Sequence, residues 1–133
     1  MDLKAAIVGR RAVRDYESEK IDERTIREFF DAALHAPSAV NQQSWTFTVV
    51  RDRGLLARIS REAKAHMLAT LDAGPHAEHF RSHLADPDFH IFYHARALIL
   101  ISAHAEGPWI VEDCALAAEN LILAAYAAGL SSR

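Results

Sequence analysis

Apolar residues recur along the chain at helical and strand spacings in turn, with Gly and Pro between the blocks. Leu3 and Ile7 lie one turn apart behind Asp2, a helix-capping residue type, so a short first helix ending at Gly9 is expected. Ile26, Phe29, Phe30, Ala33 and Leu34 follow amphipathic spacing. Asp22 suits the N-cap of this helix, and Ile21 with Ile26 suits a hydrophobic staple. Its end falls at His35 and Ala36, because Pro37 disfavours helical backbone in the residue before it. Pro37 to Ser44 reads as a polar loop. Trp45, Phe47 and Val49 then alternate with Thr46, Thr48 and Val50, which predicts a strand. Asp52 opens another helix, with Leu55, Leu56, Ile59, Ala63 and Met67 on one side and a break at Gly74-Pro75. A short polar helix is expected over Ala77 to Leu84, then a turn at Asp86-Pro87-Asp88. An aromatic patch of Phe89, Phe92 and Tyr93 leads into a second strand, Ala97 to Ser102. Gly107-Pro108 is the next break. Val111 to Ala128 forms a last helix, apolar on nearly every face, with Gly129 where a C-terminal cap belongs. A helix apolar all round is buried, often between subunits.

Two strands and about four helices define an α+β chain, but a two-stranded sheet is near the lower limit for a folded domain. Partner chains, or further chain, are therefore expected to complete the fold. The 133 residues amount to a single domain, 1–133, and 50% apolar content is enough for a modest core. A formal charge of −3 favours neither nucleic acid nor an anionic membrane as partner. Cys114 is the only cysteine, so no internal disulfide forms, which suits a cytoplasmic protein. The N-terminus carries early charge and no uninterrupted apolar run, so no secretory signal is expected. The apolar run Ala97 to Ile101 is too short to span a bilayer.

Two segments carry chemistry. Arg10-Arg11-Ala12-Val13-Arg14 places three guanidiniums within five residues. Arginine binds phosphate through paired planar hydrogen bonds, and in an extended stretch Arg10 and Arg14 share a side. The same residues also fit a solvated basic patch paired with Asp15 and Glu17. Ala36-Pro37-Ser38-Ala39-Val40-Asn41-Gln42-Gln43-Ser44-Trp45 follows a helix and precedes a strand. Its serine hydroxyls and three amides suit a heterocycle with matched donors and acceptors. The same composition also serves ordinary turn formation.

The order of these segments resembles the nitroreductase family. An arginine cluster is followed by one helix, then by an Ala-Pro-Ser-x-x-Asn-x-Gln-x-Trp loop and a strand. Asp88 to Ala95 leading into Leu98-Ile99-Leu100-Ile101, and Glu112 to Leu121 with Ala124-Ala125 and Gly129-Leu130, are similar to the family's later strand and long central helix. The pattern departs at Ala12, where Ser is common, and at Ser44 and Arg96, where Pro is usual. The resemblance implies an α+β nitroreductase-like fold, with a central sheet flanked by helices and a long buried dimer-interface helix. It also implies that family members continue past Gly129-Leu130, so the chain is expected to lack their C-terminal part. The implied cofactor is FMN, reduced by NAD(P)H and reoxidised by a nitroaromatic, quinone or similar small-molecule acceptor in a homodimer. Arg10, Arg11, Ala12 and Arg14 would hold the phosphate end. Pro37, Ser38, Ala39 and Asn41 would meet the ring from the opposite subunit. Flavin chemistry needs position and electrostatics more than an acid or nucleophile, so no catalytic side chain is nominated. A flavin- or ligand-binding dimer module without turnover is the alternative.

The remaining candidates read as structural. His76, His79 and His83 could share a helical face, and His90 and His94 are four apart, but a zinc site wants three or four convergent ligands. No metal is expected there, and the segment reads as solvated or as a substrate lid. Cys114 suits a packed small residue, Glu112 and Asp113 suit the first turn of a helix, and Asp86 and Asp88 suit a turn. Trp45 and Trp109 suit core or interface anchors.

Overall fold

The structure is a computed structural model of the chain and describes residues 1–74 and 76–133. Among the described residues five helices and two strands follow in the order α1 (Leu3–Gly9), α2 (Glu23–Leu34), β1 (Trp45–Val50), α3 (Arg53–Thr70), α4 (Ala77–Ala85), β2 (Leu98–Ala103) and α5 (Ile110–Ala127). A single 3-10 turn, Ala39–Asn41, lies between α2 and β1.

Local signals account for most of these boundaries. Asp2 and Asp22 accept N–H groups of Ala5 and Thr25 at 2.9 and 2.8 Å, and Asp52 accepts that of Leu55 at 2.7 Å. Each satisfies a donor that the first turn leaves open. The Thr25 N–H, main-chain bond first, holds the Asp22 carboxyl below the usual carboxylate range. At the other end of the chain Gly129 adopts φ 82°. Its N–H bonds the Tyr126 carbonyl at 3.0 Å, and the Leu130 N–H bonds that of Ala125 at 2.9 Å. This paired closure stops α5 at a residue that tolerates left-handed backbone. α3 ends at Thr70, before Gly74, and Pro75 of the expected break lies outside the described residues.

The chain divides into two compact units. The first comprises 1–14, 19–49 and 99–133. Its core joins Phe29, Ala33 and Ala36 around α2 to Trp45 on β1 and to Ala117, Leu121 and Ala125 on α5. Phe30 stacks on Phe47 with ring centroids 5.0 Å apart. β1 and β2 are neighbours in the sheet. Gly9 admits Tyr126 of α5: a Cβ there would lie 2.5 Å from the Tyr126 Oη.

α5 is less enclosed than its composition predicts. One stripe, Asp113, Ala117, Leu121 and Ala125, is buried at four-residue spacing. Val111 and Leu116 on other faces remain exposed, as do Leu3, Ile7 and Val8 of α1. Among the described residues α5 packs chiefly on α2, with α1 and Trp45 of β1 beside it, and part of its circumference stays uncovered.

The second unit comprises 15–18 and 50–98 and holds α3 and α4. Lys64 of α3 is buried, and its Nζ donates to the carbonyls of Asp86 and Phe89 at 2.8 and 2.6 Å. Ser60 Oγ accepts the Ile91 N–H at 3.1 Å. Arg96, standing where the family usually has Pro, donates from Nε and Nη2 to the Ser18 carbonyl. Rings of His79, His83, Phe89 and Tyr93 follow in edge or tilted contact. Among the described residues no helix is long and apolar enough to cross a membrane.

Candidate functional site

All eight expected site residues lie in the first unit. Their two groups are built differently. The arginine segment leaves α1 with Arg10 at φ −57° and ψ 136°, an extended conformation. Ala12 then forms a parallel bridge with Ser132, and the Val13 N–H bonds the Ser132 carbonyl at 3.1 Å.

The three guanidiniums are not equivalent. Arg11 turns back on its own helix, and its Nη1 donates to the carbonyls of Val8 and Arg10, each at 2.7 Å. A cation there completes carbonyls that α1 leaves open at its C-terminus. Arg10 and Arg14 make no side-chain hydrogen bond or ion pair among the described residues. Asp15 and Glu17 do not neutralise them. Two free guanidiniums are thus left in a segment that Ser132 holds in place.

The loop has unusual backbone. Val40, Asn41 and Gln43 adopt φ values of 48°, 55° and 51°. Left-handed backbone costs L-residues about 1–2 kcal/mol each, and it is rarest for β-branched side chains such as Val. Val40 is 96% exposed, so its side chain gains no burial in return. Ser38 Oγ accepts the Gln43 N–H at 3.0 Å, and Asn41 Oδ1 accepts from Gln43 Nε2 at 2.6 Å. These bonds leave the Ser38 hydroxyl hydrogen and the Asn41 amide hydrogens free to donate.

Asp113 ties this loop to α5. Its Oδ1 accepts the Ala39 N–H at 3.0 Å, and its main-chain oxygen accepts from Trp45 Nε1 at 3.0 Å. The His104 N–H bonds the Ser44 carbonyl at 3.0 Å. Asp113 is buried, and its Oδ2 has no hydrogen-bond partner among the described residues; nor has Ser44 Oγ. Where family members usually carry an apolar Pro, Ser44 buries a hydroxyl in a pocket that offers it nothing. Burial, then the neighbouring Asp113 charge, pushes the Cys114 thiol up, so Cys114 stays protonated beside the site.

Sequence reasoning placed Asp113 only in the first turn of its helix. The signal for it is a carboxylate on the buried side of an otherwise apolar stripe. No side-chain hydrogen bond or ion pair among the described residues joins Arg10, Arg11 or Arg14 to the Pro37–Asn41 loop. Among the described residues no three His, Cys, Asp or Glu side chains converge as metal ligands.

The chain belongs to the nitroreductase family, whose pattern it matches over residues 7–132. It is 30% identical over 135 residues to a provisionally named NADH dehydrogenase/NAD(P)H nitroreductase of Methanothermobacter thermautotrophicus, covering 99% of this chain and 59% of that protein. A protein of Archaeoglobus fulgidus with the same name is 33% identical over 126 residues, covering 95% of this chain and 62% of that one. The chain thus spans about three-fifths of the length of these curated relatives. Among solved structures, a nitroreductase with bound FMN from Bacteroides fragilis superposes with a TM-score of 0.86 at 28% identity, covering 98% of this chain and 67% of that one. An FMN-dependent nitroreductase of Clostridium difficile gives 0.83 at 27% identity, covering 97% and 57%.

Proposed function

We propose that this protein is an FMN-dependent oxidoreductase that passes electrons from NAD(P)H to a nitroaromatic, quinone or similar acceptor. The observation that carries the reading is the pair of free guanidiniums, Arg10 and Arg14, on a segment held extended. The site fits a flavin mononucleotide on two counts. A dianionic phosphate needs cations not already spent on carboxylates, and Arg10 and Arg14 meet that need. A flavin ring edge offers acceptors as well as a donor, and the loop leaves the Ser38 hydroxyl and the Asn41 amide free to donate. When bound, the flavin supplies hydride acceptance at N5 and electron transfer to a second substrate.

The chain's own residues bind and orient. Arg10 and Arg14 hold the phosphate, with Arg11 and Ala12 shaping the segment between them. Pro37, Ser38, Ala39 and Asn41 meet the ring, and no side chain acts as acid, base or nucleophile. The exposed apolar residues of α1 and α5 pack against a second copy, whose loop completes the site. Residues 1–133 act as one nitroreductase-like domain, since the family match runs through both units. The setting is the cytoplasm.

Titration of FMN fluorescence tests the reading. Replacing Arg10 and Arg14 together with alanine should weaken binding by about tenfold or more, since charge-assisted hydrogen bonds are worth roughly 1.5–3 kcal/mol. Replacing Arg58 and Arg61 of α3 should leave it within about twofold, as their lost charge is screened. Equal effects, or no saturable binding by the unaltered protein, would overturn it. FMN-dependent oxidation of NAD(P)H with a quinone separates an enzyme from a flavin-holding module without turnover.

A further inference from the structure

We infer that Asp113 is a positioning residue: its buried carboxylate holds the Pro37–Gln43 loop in the left-handed conformation that presents Ser38 and Asn41 to the flavin ring. The inference rests on the flavin reading above. Three non-glycine residues with positive φ do not hold that backbone by preference, so something must impose it. The bonds inside the loop, from Gln43 to Ser38 and to Asn41, are exposed and compete with water. The Ala39 N–H to Asp113 Oδ1 bond is partly buried and crosses to another element. Residue 113 also takes the Trp45 indole N–H on its main-chain oxygen, so one residue of α5 grips the chain on both sides of the left-handed stretch.

The position itself argues that the carboxylate serves the loop. Asp113 continues the stripe of Ala117, Leu121 and Ala125, where an apolar side chain would satisfy packing. A carboxylate there is 4% exposed and leaves Oδ2 unpartnered, a standing penalty that packing does not require. The first turn of α5 moderates the negative charge but supplies no reason for it.

The test is FMN titration, with amide hydrogen exchange across Asn41–Gln43, on the unaltered protein and three variants. Asp113→Ala should weaken FMN binding by about tenfold or more and speed exchange in the loop. Asp113→Asn keeps an acceptor oxygen and should restore binding to within about threefold. Ala39→Pro removes the donor instead. Residue 39 opens a 3-10 turn after an extended Ser38, so proline fits there, and the variant should match the binding loss in Asp113→Ala, with a lower unfolding midpoint because both Asp113 side-chain oxygens then lack a partner. Combining Asp113→Ala with Ala39→Pro should add nothing, as for two halves of one bond. If Asp113→Ala fails to fold, Asp113→Asn and Ala39→Pro carry the decision. Unchanged binding and exchange in Ala39→Pro overturns the inference, and so does an equal loss of binding in Asp113→Asn and Asp113→Ala. If the unaltered protein binds no FMN, the flavin reading falls on its own. Loop exchange then decides the anchoring separately: faster exchange in the variants upholds it and unchanged exchange overturns it.

Discussion

His90 ties the second unit to pH. Its Nδ1 accepts the Phe92 N–H at 3.2 Å, an arrangement that needs the ring neutral at that nitrogen. Burial first, then the nearby His94 and Lys64 charges, pushes its pKa below the ordinary histidine value. The folded chain therefore binds fewer protons at His90 than the unfolded chain does near pH 6.5. The contribution is present above that value and is lost as pH falls through it toward the lower folded pKa. Urea midpoints should drop between about pH 8 and about pH 5, and His90→Asn, which keeps an acceptor without titrating, should flatten that drop. A midpoint curve of equal slope in the variant would count against the assignment. None of this coupling was legible in the sequence, where His90 and His94 were only two histidines four apart. At Arg11 the sequence showed three like residues, and folding separated one of them by turning it onto the carbonyls of α1. Val40 gave no sign of its left-handed backbone, since β-branched residues favour strands.

Elements were far more legible than individual contacts. α2 carried a cap, an apolar period and a terminating Pro37, and all three act locally, so its span appears within two residues of expectation. β1 follows from strict alternation and matches residue for residue. α1 spans Leu3–Gly9 behind its Asp2 cap, as the Leu3–Ile7 spacing and Gly9 predict. α5 misled in one respect: composition reports apolarity on every face, whereas packing reports which face has a neighbour. That neighbour is α2, joined also by the Asn120 Nδ2 bond to the Ala32 carbonyl at 3.1 Å. Ala33 and Ala117 are both fully buried in the shared core. Ala117→Leu should therefore overpack that core and cost about 1–3 kcal/mol, read as a lower urea midpoint. The same change at exposed Ala127 should be nearly neutral.

Across the whole molecule, exposed Val111, Leu116, Ile7 and Val8 put apolar surface on two helices of one unit. On the proposed reading this surface packs against a second copy. Light scattering should give twice the chain mass, and Val111→Asp with Leu116→Asp should give the single mass with retained helix content by circular dichroism. A single mass for the unaltered protein would contradict the second-copy reading. The bond from Ala39 to Asp113 has a consequence for the order of assembly. Its partners stand 74 residues apart, and the Trp45 link spans 68. During synthesis at about 5–20 residues per second, the loop leaves the ribosome several seconds before its anchor exists. Until then its left-handed backbone has nothing to enforce it. α2 and the first strand can gather early, but the ligand-facing contour is finished only when α5 arrives. The nascent chain therefore acquires its secondary structure before it acquires a working surface.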